Sequence, residues 1–157
     1  MFDDTTTKLI ERTITILNDP YERITELGMR ACSGCSALTS VNLPVAISID
    51  DYAFTSCTSL TTVDLAVASS LGNKVFNTDS NLNTLILRKS DGICTAGTTV
   101  LNLTAIASGS GYIYVPSALV NTYKSASNWS TYSARFRALE SYTADGTITG
   151  ALDPSKI

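Results

Sequence analysis

The chain has 157 residues, 44% of them hydrophobic and only 16% charged, with a net charge of −3 and no histidine. That is one domain's worth of sequence with enough apolar residues for a core, and Thr, Ser and Asn stand where charged residues ordinarily would. The lack of a Lys/Arg cluster argues against nucleic acid as a partner, no apolar run approaches the roughly 20 residues of a membrane span, and without an imidazole there is no Ser-His-Asp or Cys-His catalysis and no His-ligated zinc.

Residues 1–20 form a lead-in. MFDDTTTKLIERTITIL begins acidic and polar, without the basic and apolar regions of a signal peptide, so the expectation is a protein made in the cytoplasm with no visible leader. Within it, RTITIL alternates and predicts an N-terminal cap strand. Ile14 and Ile16 are expected inward, 27 residues before Val41 in the case of Ile14, with Thr13 and Thr15 outward.

Residues 21–116 say nearly the same thing three times. LGMRACSGCSALTSVNL, IDDYAFTSCTSLTTVDL and LGNKVFNTDSNLNTLIL superpose with a shift of 22. Leu27, Ile49 and Leu71 coincide, then Ala31, Ala53 and Val75, then Cys32, Phe54 and Phe76. Cys35, Cys57 and Asp79 follow, then Leu38, Leu60 and Leu82, Val41, Val63 and Leu85, and Leu43, Leu65 and Leu87. A period of this length with an L-x-x-L-x-L core predicts a leucine-rich repeat solenoid. Each unit is too small to bury its own apolar side, so stacked units share one core. The fold class is an α/β-type solenoid with short parallel strands. Val41 and Leu43 point inward, Ser40 and Asn42 outward. The segment before each strand, such as Tyr52-Ala53-Phe54, is expected to form a short helical or 3₁₀ turn that drives Phe54 into the core.

A fourth, long and degenerate unit leads to GYIYVP, in which Ile113 and Val115 take the inward places 28 residues after Leu85 and Leu87. Residues 117–142 then predict a C-terminal two-helix cap. Ser117 or Pro116 starts the first helix, Asn128 ends it and Ser130 starts the second. Leu119, Val120, Tyr123 and Trp129 would cover the open end, and Tyr132, Phe136 and Leu139 would continue that face. Residues 143–157 are a polar, Gly-containing tail.

The candidates for chemistry mostly fall on repeat columns. Cys35 and Cys57 share one column and are expected as buried free thiols rather than a disulfide, because parallel rungs hold their Cβ atoms slightly too far apart. Cys32-x-x-Cys35 has redox-motif spacing, but both residues sit in the repeat, and no second such pair completes a four-thiolate metal site. Gly109-Ser110-Gly111 precedes a strand and so predicts a turn, not a phosphate loop. Asp3-Asp4 and Asp50-Asp51 lack the spacing of a calcium loop. No cofactor and no metal follow from any of these.

What remains is the outward strand face. Its columns are Thr13, Ser40, Thr62, Thr84 and Tyr112, and beside them Thr15, Asn42, Asp64, Ile86 and Tyr114. This is a weakly charged strip of hydroxyls and amides ending in two tyrosines, a residue that gives contact area and a polar tip at little entropic cost. Ser40, Asn42, Thr62, Asp64, Thr84, Ile86, Tyr112 and Tyr114 are therefore the candidate binding residues. An inert solvated sheet, with Thr chosen for its strand preference, is the bland alternative. An enzyme of redox or carbohydrate-active type would need a reactive thiol or a carboxylate pair in a cleft.

The column A-F-x-x-C-x-x-L-x-x-V-x-L-P resembles the BspA-like leucine-rich repeats. The end, GSGYIYVPSALVNTYKSASNWSTYSARFRAL, resembles the C-terminal cap of many such bacterial and phage-encoded chains, and LIERTITIL their lead-in. Residues 9–142 carry the resemblance. The departures are Cys32 for the repeat Phe, Asp79 for the repeat Cys and Gly34 for a bulkier turn residue. The resemblance implies a non-enzymatic recognition module that binds a protein or a cell-surface glycan. Chains of this kind without a leader resemble phage virion proteins, tail- or fibre-associated and bound to other virion proteins. Those with one resemble bacterial surface adhesins.

Overall fold

The computed structural model describes residues 14–141. Among the described residues, ten short strands form two parallel sheets. The larger takes β1 (Ile16–Asn18), β3 (Ser40–Leu43), β5 (Thr62–Leu65), β7 (Thr84–Leu87), β9 (Tyr112–Val115) and β10 (Phe136–Ala138), in that spatial order. The smaller takes the two-residue strands β2 (Glu26–Leu27), β4 (Ser48–Ile49), β6 (Ser70–Leu71) and β8 (Thr95–Ala96). The 22-residue columns become literal stacks: Val41 pairs with Val63 and Val63 with Leu85, while Leu43 pairs with Leu65 and Leu65 with Leu87. Leu38, Leu60 and Leu82 are all fully buried in the shared core.

Tight turns replace the helical turn expected at Tyr52-Ala53-Phe54. Ala53 N–H donates back to Asp50 O (3.2 Å), Thr55 to Tyr52 O (3.1 Å) and Cys57 to Phe54 O (3.3 Å). The alternate amides reach across to the next rung: Tyr52 to Asn73 O (3.0 Å), Phe54 to Val75 O (2.9 Å) and Ser56 to Asn77 O (2.9 Å). Two left-handed residues per rung make this alternation. Arg30, Tyr52, Lys74 and Thr99 have φ of 59, 58, 53 and 49°, and Gly34, Ser56, Thr78 and Leu103 have 77, 62, 64 and 59°. A left-handed residue stops a helix and, except at Gly34, costs about 1–2 kcal/mol, which the inter-rung hydrogen bonds offset. Phe54 is buried as expected and stacks on Phe76, centroids 5.7 Å apart and planes 7° apart. Gly72 is obligatory for a different reason: a Cβ there would run into the Asp51 carboxylate and backbone of the preceding rung.

At the N-terminal end the register differs from expectation. Leu17, not Ile14 or Ile16, pairs with Val41, and Ile16 is 58% exposed. The odd slip exchanges the two faces of the strand. Asp19 fixes it. Its amide continues the ladder to Asn42 O (3.1 Å), while its buried carboxylate accepts from Arg23 N–H (3.0 Å) and Ile24 N–H (2.8 Å), closing the loop toward β2. Ile14 is half-buried at the margin of the core.

The C-terminal end departs from two helices. A 3₁₀ turn at Ser117–Leu119 runs into the helix Val120–Ser125. The second segment, Ser130–Arg135, is 3₁₀ and broken at Tyr132. The chain then adds β10, with Phe136 beside Ile113 and Ala138 beside Val115. Phe136 and Leu139 therefore do not extend a helical face. Tyr123, Trp129 and Phe136 pack ring on ring, with centroids 5.2–5.8 Å apart. Their polar atoms cap the last rung. Trp129 Nε1–H donates to Cys94 O (2.7 Å), and Tyr123 Oη accepts from Cys94 N–H (2.7 Å).

Candidate functional site

The large sheet alternates buried and outward side chains, so its outer surface carries two columns. One runs Ile16, Ser40, Thr62, Thr84 and Tyr112; the other runs Asn18, Asn42, Asp64, Ile86, Tyr114 and Arg137. Ile16 and Asn18 stand where Thr13 and Thr15 were expected. Thr15 lies before β1, where its carbonyl accepts from the Thr39 amide (2.7 Å), and Thr13 lies outside the described residues. Ser40, Thr62 and Thr84 are half-buried and Asn42 is exposed, so these four make the polar strip foreseen from the sequence. Asn42 Nδ2 donates to Asn18 Oδ1 at 3.3 Å.

The other candidates are placed differently. Asp64 is gripped by Arg88, whose Nε and Nη2 each donate at 2.8 Å to a different carboxylate oxygen. Nothing in the sequence marks this pair, because its members lie 24 residues apart and meet only through the rung spacing. Ile86 and Tyr114 are buried, at 2% and 3% exposure, in a small cluster of their own with Tyr112 and Leu139. They do not present a contact surface. Leu139, in the 3₁₀ turn after β10, comes round onto the outer face and packs there. Tyr112 stays half-buried, edge-on to Tyr114 at 6.2 Å. Two cations missed from the sequence flank its ring: the guanidinium carbons of Arg137 and Arg135 lie 4.4 and 5.3 Å from the centroid.

All four cysteines are buried, and none of them forms a disulfide among the described residues. Cys57 Sγ–H donates to Cys32 O at 3.1 Å. The hydrogen bond with Cys35 raises the Cys57 pKa, burial adds to it, and the group stays a thiol. Burial pushes Cys94 up to about 12. Hydrogen bonds from Cys32 and Cys57 instead pull Cys35 down to about 4, against the cost of burial. Cys57 and Cys94, held neutral in a closed core, are poor nucleophiles. Asp79, in the same column, lends Oδ1 to Cys57 N–H (2.8 Å), and burial pushes its carboxyl up to about 8. Its Oδ2 has no hydrogen-bond partner among the described residues. Asp51 is likewise structural, accepting from Asn73 N–H at 2.8 Å. Gly109, at φ 99°, closes the short helix Ala105–Ser108. Among the described residues no helix is long and apolar enough to cross a membrane.

No curated protein matches the chain. The family model described as BspA type leucine rich repeat region matches residues 11–110, in six copies. With that match over well more than half of its length and the stacked columns seen in the structure, the chain belongs to the BspA type leucine rich repeat family, as a repeat module of the protein-interaction kind.

Proposed function

We propose that the chain is a non-enzymatic recognition module of a virus particle, tail- or fibre-associated, that holds its partner against the outer face of the large sheet. The observation that carries this reading is the strip of Ser40, Asn42, Thr62 and Thr84. Four polar side chains project from adjacent rungs whose backbones are locked in one register. Such a surface is preorganised, so little conformational entropy is lost on binding. The Asp64–Arg88 pair borders the strip and keeps that carboxylate oriented. The particle reading rests on the likeness of the C-terminal segment to phage-encoded chains. A bacterial surface adhesin rests on the same likeness and is the second reading.

The test is a photo-crosslinking side chain placed at Thr62, on the strip, or at Thr58, on the turn side, in the source organism. A partner trapped from position 62 and not from 58 supports the site. Equal trapping, or trapping from 58 alone, overturns it. Where the crosslinked species is recovered separates the two readings: purified particles favour the virion protein, washed intact cells the adhesin.

A further inference from the structure

We infer that the C-terminal end of the outer face, around Arg135, Tyr112 and Arg137, is an interaction surface for an acidic segment of a protein partner, whose carboxylates the two guanidiniums take. The inference deepens the reading above and rests on it for the class of partner.

The two arginines are held in place by something other than an acid. Arg137 Nη1 donates to Ala134 O (3.1 Å) and Phe136 O (2.8 Å). Arg135 Nη1 donates to Gly109 O (3.0 Å) and Gly111 O (3.4 Å). In both, one terminal nitrogen is tied to backbone carbonyls. The edge carrying Nε and Nη2 makes no hydrogen bond to the described residues. The described ion pairs are Arg88–Asp64 and Lys89–Asp91, so neither guanidinium is paired with an acid among the described residues.

Arg88 shows what that edge takes on this very face. Its Nε and Nη2 are the atoms that grip Asp64, at 2.8 Å each. Arg135 and Arg137 offer the same planar fork, already oriented and with no partner on that edge among the described residues. A fork of this shape matches a carboxylate in two parallel charge-assisted hydrogen bonds. Two cations over one ring also repel each other, which the Tyr112 face relieves in part and an incoming anion would relieve further. Beside them Tyr112 and the half-buried Leu139 supply apolar surface, as a peptide with mixed acidic and apolar side chains would use. Two arginines are too few for a phosphate track in a chain of net charge −3.

The experiment titrates the full-length chain with hexaglutamate and, as control, hexaglutamine, following the arginine Nε–H signals by NMR. Saturable shifts at Arg135 and Arg137, with Arg30 and Arg88 unmoved and hexaglutamine silent, are expected. Uniform or absent shifts overturn the assignment, and this readout needs no variant. In the double variant R135Q/R137Q the affinity should fall about tenfold or more, as for loss of charge-assisted hydrogen bonds. The double variant R135K/R137K, which keeps charge without the fork, should lose most of that; full retention overturns the role of the fork. A sialylated oligosaccharide that moves the same signals at lower concentration than hexaglutamate overturns the choice of a peptide partner. Failure here with the crosslink at position 62 intact sinks this inference alone, and the reverse result sinks only the strip.

Discussion

Asp79 occupies the place that Cys35 and Cys57 fill in the two preceding rungs, and it is fully buried. Burial holds its carboxyl up to about 8, against 3.8 when it is solvated as in the unfolded chain. Between those values the folded chain keeps a proton that the unfolded chain has released. Stability therefore falls as pH rises through that interval, and the whole penalty is present above it. At about 1.4 kcal/mol per unit, the cost is on the order of a few kcal/mol. Cys57 is the titratable neighbour facing it, and that thiol stays neutral throughout. Asp79→Asn keeps the acceptor for Cys57 N–H and removes the titration. Its urea midpoint should gain on that of the native chain from pH 4 to about pH 8 and level off above, and parallel midpoint curves would contradict the assignment. The sequence marks Asp79 as the odd member of its column, which is why it is legible at all. Arg88, Arg135 and Arg137 carry no such mark. An arginine near the end of a strand reads as ordinary solvated surface, and only the stacking of rungs shows what each one reaches.

The strands that could be read in advance are those with a full inward-outward-inward alternation, such as Ser40–Leu43 and Tyr112–Val115. The small sheet is not legible in the sequence because strands of two residues, such as Ser48–Ile49, are too short to alternate. The sequence locates β1 but not its register, since T-I-T-I offers two equivalent phases and the deciding contact is the Asp19 carboxylate in the loop that follows. β10 was hidden because Tyr132, Phe136 and Leu139 recur at helical spacing. The C-terminal segment acts as a cap through its polar atoms as much as its rings, and this is open to measurement. Tyr123→Phe leaves the buried Cys94 N–H without its acceptor, at a cost of about 1–3 kcal/mol. Hydrogen exchange at the Cys94 amide should accelerate while the β3 and β5 amides keep the protection set by global unfolding of the weakened chain. Unchanged exchange at Cys94 would mean that the phenol is not the amide's working partner.

A molecule built of equivalent rungs is close to one-dimensional, each rung touching only its neighbours. Excising residues 49–70 joins Ser48 to Leu71, and Ser48 and Ser70 already stand side by side in the small sheet. The shortened chain should fold cooperatively, with lower stability and a smaller urea m value in proportion to the surface lost. Removal of 49–69, one residue fewer, leaves one extra residue at the joint that must bulge out of the small sheet, and should be the less stable of the two. If both shortened chains behaved alike, the stacking would not be what holds the structure. The two ends of this array are not alike, however, and the difference bears on how the protein can be watched. The chain's single tryptophan, Trp129, is sealed among Tyr123 and Phe136 at the last rung. Its emission is thus a local gauge. It reports when the carboxyl-side closure loosens and is blind to fraying at β1, so an optical melt followed at that wavelength alone would time the departure of one end and mistake it for the whole.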